Sequence, residues 1–123
     1  MKVAYFDCPS GASGDMILGA LIDAGVSLDA LRAELAKLPL GGYRLTGREV
    51  KKGAFRATKV DVEVDVQAHR RHRNLSEIVG ILERSGLPAR VKADATSIFT
   101  RLADAEARVH GTTVEEVHFH DVG

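Results

Sequence analysis

The sequence predicts an α/β (α+β) fold, with a small mixed sheet of about three to four strands covered by about four helices. Residues 60–66 place a valine at every second position, which is the period of a strand with one buried face. Later segments place apolar side chains three and four residues apart, which is the period of a helix. The chain has 123 residues, of which 45% are hydrophobic and 28% are charged, enough for one domain with a buried core.

The first element predicted is a buried strand. Residues 3–6 form a short apolar run with β-branched and aromatic side chains, and the run ends at Asp7. Residues 8–14 are rich in turn-forming types, and Asp15 then opens a helix. The apolar side chains of that helix point in almost every direction, so we expect other elements to cover it on most sides.

A second helix follows closely. Gly25 is suited to end the first helix because glycine adopts the left-handed backbone conformation without strain. Ser27 can accept a hydrogen bond from the first turn of the next helix, and Pro39 ends that helix.

An antiparallel hairpin comes next. Residues 43–50 and 59–66 read as its two strands, and residues 51–53 read as the turn between them. Gly47 weakens the first strand or marks a bulge in it.

Two further helices are expected in the second half. Asn74 and Glu77 have the spacing of a capping box, and the helix that they open runs to Gly86. Pro88 suits the first turn of the last helix, which Gly111 ends. The apolar stripe predicted for this last helix consists of Val91, Ala95, Ile98, Leu102, Ala105 and Val109.

The C-terminal segment alternates again. Residues 117–120 have the period of a strand, and the chain stops soon afterwards at Gly123. We therefore expect residues 1–123 to be a single N-terminal domain of a longer chain.

Charge and composition exclude several functional classes. The 17 Lys and Arg residues balance the 17 Asp and Glu residues, whereas a general nucleic-acid binder needs an excess of cations. No apolar run approaches the roughly 20 residues that span a bilayer, so no membrane role is expected. A single cysteine agrees with a reducing cytoplasm.

One candidate binding site is the loop before the first helix. Its small residues and hydroxyls stand where unpaired N–H groups at a helix N-terminus can hold a phosphate: Ser10, Gly11, Ser13 and Gly14. The structural alternative is that Ser13 caps the helix and Asp15 interacts favourably with the helix dipole. Asp7 could act as a nucleophile or metal ligand, but a phosphatase would need a second acid at the position of Pro9.

The histidines form the other candidate site. In a strand, His118 and His120 project from one face together with Glu116, and two imidazoles so placed can share a divalent ion. His110 precedes them, and His69 and His72 stand in a basic segment, residues 68–73. The alternatives are ordinary exposed strand histidines and a solvated or substrate-binding basic loop.

Four segments together resemble a known family. They are residues 5–16 (YFDCPSGASGDM), 69–78 (HRRHRNLSEI), 98–111 (IFTRLADAEARVHG) and 115–123 (EEVHFHDVG). In this order, and along the whole chain, they resemble the N-terminal domain of the LarC family of nickel-insertion proteins.

The resemblance implies an activity for the full-length protein. Members are CTP-dependent nickel chelatases, or cyclometallases of the lyase class, that insert nickel into pyridinium-3,5-bisthiocarboxylic acid mononucleotide. The product is the nickel-pincer nucleotide cofactor of lactate racemase, whose apoenzyme is an implied partner. CTP and its divalent cation are expected in a C-terminal domain absent from this chain, so the isolated domain should be inactive. The alternative is a non-catalytic nucleotide-binding or assembly module, and a homo-oligomer is compatible with either.

The resemblance also assigns residues. It implies nickel ligands at His118 and His120, and in second place at His69, His72 and His110. It favours the loop from Ser10 to Gly14 for the nucleotide phosphate, with Arg70 and Arg71 suited to hold an anionic substrate. Asp7 and Asp15 are the candidate catalytic carboxylates.

Overall fold

The computed structural model describes residues 1, 3–65 and 72–119. The elements are α1 (Gly14–Asp23), α2 (Leu28–Leu35), β1 (Tyr43–Lys52), β2 (Phe55–Val64), α3 (Leu75–Arg84) and α4 (Ala89–His110). The predicted combination of helices with an antiparallel hairpin is confirmed. The predicted strand count is wrong, because the sheet in the described part of the chain has two strands rather than three to four.

The hairpin is longer than predicted: β1 continues to Lys52 and β2 begins at Phe55 rather than at residue 59, so residues 51 and 52, predicted for the turn, are paired. β1 and β2 pair without interruption from Tyr43 opposite Val64 to Lys52 opposite Phe55, and Gly53 turns the chain with a φ of 62°. The bulge considered at Gly47 is absent from this ladder. A Cβ at Gly47 would lie 3.2 Å from a methyl group of Leu28, so this glycine makes room for α2 instead.

Helix α1 packs against β2 at very short range. A Cβ on Gly19 would lie 2.5 Å from the backbone oxygen of Thr58, so only glycine permits this approach. At the C-terminal end of α1, Asp23 accepts hydrogen bonds from the Thr58 hydroxyl at 2.8 Å and from Arg56 at 3.1 Å. The expectation that α1 is covered on most sides is wrong, because Gly19 is its single buried residue.

The predicted N-terminal strand is also wrong. Residues 3–7 form no strand, and their side chains are exposed, with Tyr5 at 89%. A short apolar run becomes a strand only when another strand offers its edge, and the ladder of the described residues joins β1 to β2 alone.

The largest core lies in the second half of the chain. α3 begins with the predicted capping box, and α4 ends at Gly111 in the left-handed conformation, as expected. The two helices pack together with the C-terminal segment. The buried side chains of this core are Ile78, Leu82, Ala103, Ala107, Val117 and Phe119.

The inward face of helix α4 is rotated from the predicted one, since of the predicted stripe only Ala95 and Leu102 pack against the core. Ala103 and Ala107 are buried, whereas Val91, Ile98 and Val109 of the predicted stripe are 46%, 66% and 80% exposed. Two apolar stripes lie side by side on this helix, and spacing alone does not say which one meets α3. The inward stripe combines the buried Ala103 and Ala107 with Phe99 and Leu102, which are partly buried against the same core.

The described part of the C-terminal segment, residues 117–119, makes one bridge rather than a strand. Residues 114–116 form a turn, and His118 then pairs with Asn74 in an isolated antiparallel bridge. The predicted alternation is nevertheless confirmed, since Val117 and Phe119 are buried and His118 is exposed. Across the described ranges, none of the helices combines the length and the apolar character needed to cross a membrane.

Candidate functional site

The structure brings one part of the basic segment against the C-terminal histidine segment. Asn74 and His118 form the antiparallel bridge, and the Phe119 N–H donates to the backbone oxygen of Arg73 at 3.2 Å. The Nδ1 atom of His72 lies 3.3 Å from the backbone oxygen of Phe119. Two predicted ligands that are 46 residues apart in sequence therefore belong to adjacent backbone segments.

A capping box on one segment and a buried ring on the other fix the backbone of this pair. Asn74 Oδ1 accepts from the N–H of Glu77 at 3.0 Å, and Glu77 Oε2 accepts from the N–H of Asn74 at 3.1 Å. On the other segment, Phe119 is only 2% exposed and packs edge-on against Phe99, with ring centroids 5.9 Å apart. His118 is thus an exposed side chain held between two buried residues.

The contact of His72 sets its tautomer. A backbone carbonyl oxygen can only accept a hydrogen bond, so this contact requires the proton on Nδ1. In the neutral ring the lone pair then lies on Nε2. Histidines that bind metals commonly donate their other ring N–H to a carbonyl in this way.

The remaining predicted ligands do not join this arrangement. His110, at the end of α4, pairs with Glu106 at 3.1 Å. His69, Arg70, Arg71 and His120 lie outside the described residues. Within the described ranges, no three His, Cys, Asp or Glu side chains are placed to hold a metal ion together.

Glu116 does not share a strand face with His118, contrary to the sequence prediction. It lies in the turn of residues 114–116, where its Oε2 atom accepts a hydrogen bond from the Thr112 hydroxyl at 2.6 Å. That hydrogen bond lowers the pKa of the Glu116 carboxyl below its ordinary value. The turn directs this carboxylate back toward the end of α4.

The loop before α1 is exposed throughout. The N–H of Gly11 donates to the oxygen of Cys8 at 3.1 Å, and the φ of Gly11 is 85°, so residues 8–11 form a tight turn. Ser13 occupies the N-cap position, but its hydroxyl donates to Asp15 rather than accepting from the helix. This hydrogen bond is the main reason that the pKa of Asp15 lies below its ordinary value.

The two predicted catalytic carboxylates lie in different surroundings. Asp7 belongs to the exposed segment of residues 3–7, whereas Asp15 lies in the first turn of α1 with Ser13 as its partner. Their catalytic roles, and phosphate binding by Ser10, Gly11, Ser13 and Gly14, stay predictions.

A groove that the sequence pattern did not indicate lies between α1 and the hairpin. Its volume is about 490 Å³, and Asp15, Lys52, Arg56 and Lys59 contribute to its lining. Arg56 is paired with Asp23 at 3.1 Å, and Lys59 with Asp61 at 2.8 Å. The groove depends on the packing of α1 on β2, which no local motif specifies.

Comparison with known proteins identifies the family. The sequence model described as nickel insertion protein matches residues 4–123. A putative nickel insertion protein of Gloeobacter violaceus is 53% identical over 100% of this chain and 30% of its own length. A pyridinium-3,5-bisthiocarboxylic acid mononucleotide nickel insertion protein of Desulfitobacterium hafniense is 50% identical over 100% of this chain and 30% of its own length.

A third relative extends the comparison. The pyridinium-3,5-bisthiocarboxylic acid mononucleotide nickel insertion protein of Geobacillus kaustophilus is 48% identical over 100% of this chain and 32% of its own length. The chain thus spans about a third of the length of the curated relatives it matches. A search of solved structures found no match. The chain belongs to the nickel insertion protein family.

Proposed function

We propose that this chain is the nickel-presenting part of a protein that inserts nickel into pyridinium-3,5-bisthiocarboxylic acid mononucleotide. The names of two relatives state this substrate, and the family match covers residues 4–123. The full reaction, its CTP and divalent cation, its lyase character and its link to lactate racemase belong to this proposal for a protein of the relatives' length. The isolated chain presents the metal and does not turn over.

The observation that supports the proposal most directly is the placement of His72 beside the segment of His118. In an antiparallel pair, a residue two positions from a bridge partner is the diagonal neighbour of the opposite residue, within reach of a long side chain. His72 has this relation to His118 across the bridge of Asn74. Its Nδ1 atom lies 3.3 Å from the Phe119 oxygen, a backbone contact of the kind that orients metal-binding histidines.

His120 completes the proposed ligand set from sequence alone. It lies outside the described residues, and the proposal gives it the role predicted from its spacing to His118. Neutral imidazoles bind Ni(II) as borderline ligands, whereas thiocarboxylate sulfurs on the substrate are softer and bind it more strongly. A weak imidazole site can therefore hand the ion to the substrate rather than retain it.

Isothermal titration of the chain with Ni(II) tests the ligand set. We expect His72→Ala and His118→Ala each to weaken Ni(II) binding by about tenfold or more, and the double change of His118 and His120 to Ala to abolish it. The matched control is His110→Ala, because this exposed histidine pairs with Glu106 on α4. Unchanged affinity in His118→Ala, or an equal loss in His110→Ala, contradicts the assignment.

The second role that we propose is nucleotide binding by the loop of residues 10–14. It is supported by the exposure of this loop and by the lack of a side-chain cap at the N-terminus of α1. If the chain is an assembly module that binds only the nucleotide, Ser13→Ala weakens mononucleotide binding while the histidine variants leave it unchanged. Nicotinamide mononucleotide is a suitable probe, because it carries both a pyridinium ring and a phosphate. Equal binding by the wild type and Ser13→Ala refutes this role.

A further inference from the structure

The groove between α1 and the hairpin has the size of a small-molecule site. Its volume of about 490 Å³ lies within the range of about 300–1,000 Å³ that such sites occupy. Residues Asp15 to Asp23 of α1 contribute to one wall, and eight residues of helix extend for about 12 Å. The groove is therefore long enough for a flat ring and a sugar placed end to end.

The lining between the two ends of the groove is apolar. Ala20 of α1 contributes to it, together with Val50 and Ala57 of the hairpin. Val50 and Ala57 are direct cross-strand partners, so their side chains lie on the same face of the hairpin. Met16 also lines the groove and is 55% exposed, and thioethers make favourable contacts with aromatic rings. This surface suits a flat aromatic ring.

One positive charge in the groove has no partner among the described residues. Arg56 is paired with Asp23 at 3.1 Å, and Lys59 is paired with Asp61 at 2.8 Å. Lys52 is exposed, and none of the described carboxylates pairs with it. An anionic group of a ligand would supply the partner that this ammonium group lacks.

The unpaired cation and the loop before α1 lie at opposite ends of the groove. Asp23, the last residue of α1, pairs with Arg56. Arg56 adjoins Phe55, which is the cross-strand partner of Lys52. The loop of residues 10–14 leads into the other end of the same helix. A ligand whose phosphate is held by this loop would therefore direct its far end toward Lys52.

We propose that this groove binds a mononucleotide whose ring carries an acid group, with the ring on Val50 and Ala57 and the acid group on Lys52. The inference rests on the proposed function, because it takes the phosphate at the loop of residues 10–14. The mononucleotide of the proposed function carries two thiocarboxylic acid groups on its pyridinium ring. Lys52 is then the residue that selects acidic rings over neutral ones.

Isothermal titration with two mononucleotides tests the role of Lys52. Nicotinic acid mononucleotide and nicotinamide mononucleotide differ only at the ring substituent, which is a carboxylate in the first and a neutral amide in the second. We expect the wild type to bind the acid about three- to tenfold more tightly at low salt. Lys52→Gln should remove this preference and leave the affinity for the amide unchanged.

The matched control is Lys51→Gln, which should keep the preference. Lys51 is the neighbouring lysine on the opposite face of β1, and it does not line the groove. Equal binding of the two mononucleotides by the wild type overturns the proposal, as does no binding of either. A preference that survives Lys52→Gln also overturns it, and so does an equal loss of both ligands in that variant, because Lys52 would then hold the phosphate.

A second variant tests whether the ring lies in the groove. Ala57→Leu fills part of the apolar lining and should weaken binding of both mononucleotides about tenfold or more. The matched control is Ala54→Leu, at an exposed turn residue outside the lining, which should bind as the wild type does. Circular dichroism shows whether each variant is folded. Unchanged binding by a folded Ala57→Leu chain overturns the position proposed for the ring.

These outcomes are separate from those of the proposed function. The Ni(II) titrations of the histidine variants involve none of the groove residues. If Ser13→Ala weakens both mononucleotides while Lys52→Gln changes neither affinity, the loop keeps its role in phosphate binding and the groove inference is overturned.

Discussion

Adding one methyl group at Gly19 should separate α1 from β2. A Cβ at this position would lie 2.5 Å from the backbone oxygen of Thr58, and ordinary van der Waals contacts begin near 3.4 Å. The obstructing atom belongs to the backbone of a paired strand, so no side-chain rotation can relieve the contact. Either the helix must move by about 0.9 Å, or the strand must bend.

Two opposing terms set the size of the effect. Overpacking a close contact costs about 1–3 kcal/mol, and a backbone obstacle puts Gly19→Ala in the upper half of that range. Alanine offsets part of this loss, because it stabilises a helix interior by about 0.5–1 kcal/mol relative to glycine. We therefore expect a net destabilisation of about 1–2.5 kcal/mol, or a Tm lower by about 4–10 °C.

Gly80→Ala is the matched control within α3. A Cβ there would lie 3.0 Å from the guanidinium of Arg84, which is the far end of a flexible side chain and can swing aside. This variant should gain about 0.5–1 kcal/mol from helix propensity alone. Urea unfolding followed by circular dichroism measures both changes. If Gly19→Ala is as stable as the wild type or more so, the close approach of α1 to β2 is refuted.

Three further predictions concern the C-terminal core, the cap of α3 and the loop before α1. Phe119→Ala should lower the free energy of unfolding in urea by about 3–5 kcal/mol, because it leaves a cavity in the core. Phe55→Ala, at a side chain 79% exposed, should change it by less than about 0.5 kcal/mol. Similar losses for both variants contradict the core assignment. Asn74→Ala should cost about 1 kcal/mol through the lost capping box, and an unchanged urea midpoint would show that the cap contributes nothing. Ser13→Ala should raise the pKa of Asp15 toward 3.8 in an NMR titration. Because the pKa of this carboxyl is lowered in the folded chain, the stabilisation it gives is present at neutral pH and is lost as the pH falls below about 4. A pKa of Asp15 that does not change in this variant refutes this cause.

Local signals predicted the helices well. The capping box of α3 and the left-handed Gly111 after α4 appear in the structure as expected, and of the residues predicted for the hairpin turn Gly53 is in it. Each of these features is decided within a few residues, by a hydrogen bond or by the backbone freedom of glycine. Local chemistry therefore sufficed to place them.

Tertiary choices were not predictable in this way. The run at residues 3–6 has strand composition, but composition does not supply a neighbouring strand edge. Helix α4 has two adjacent apolar stripes, and periodicity does not decide which one is buried against α3. These two misassignments share a cause, since each depends on a partner distant in sequence.

The candidate site was likewise predictable from local signals only in part. The alternation of Val117, His118 and Phe119 predicted correctly which side chain is exposed. The meeting of His72 with this segment required the bridge to Asn74, which no spacing rule gives. The turn that redirects Glu116 likewise depends on Thr112, whose role as a donor is visible only in the folded chain.

Asn74 takes part in two structures at once. Its side chain caps α3, and its backbone forms the bridge to His118. An ion that stabilises the bridge therefore also reduces fraying of the first turn of α3, because Asn74 cannot give up its capping position without disturbing the bridge as well. Amide hydrogen exchange at Ile78, whose N–H donates to the Asn74 oxygen, would then slow when nickel is bound, making a helix end a reporter of metal occupancy several residues away.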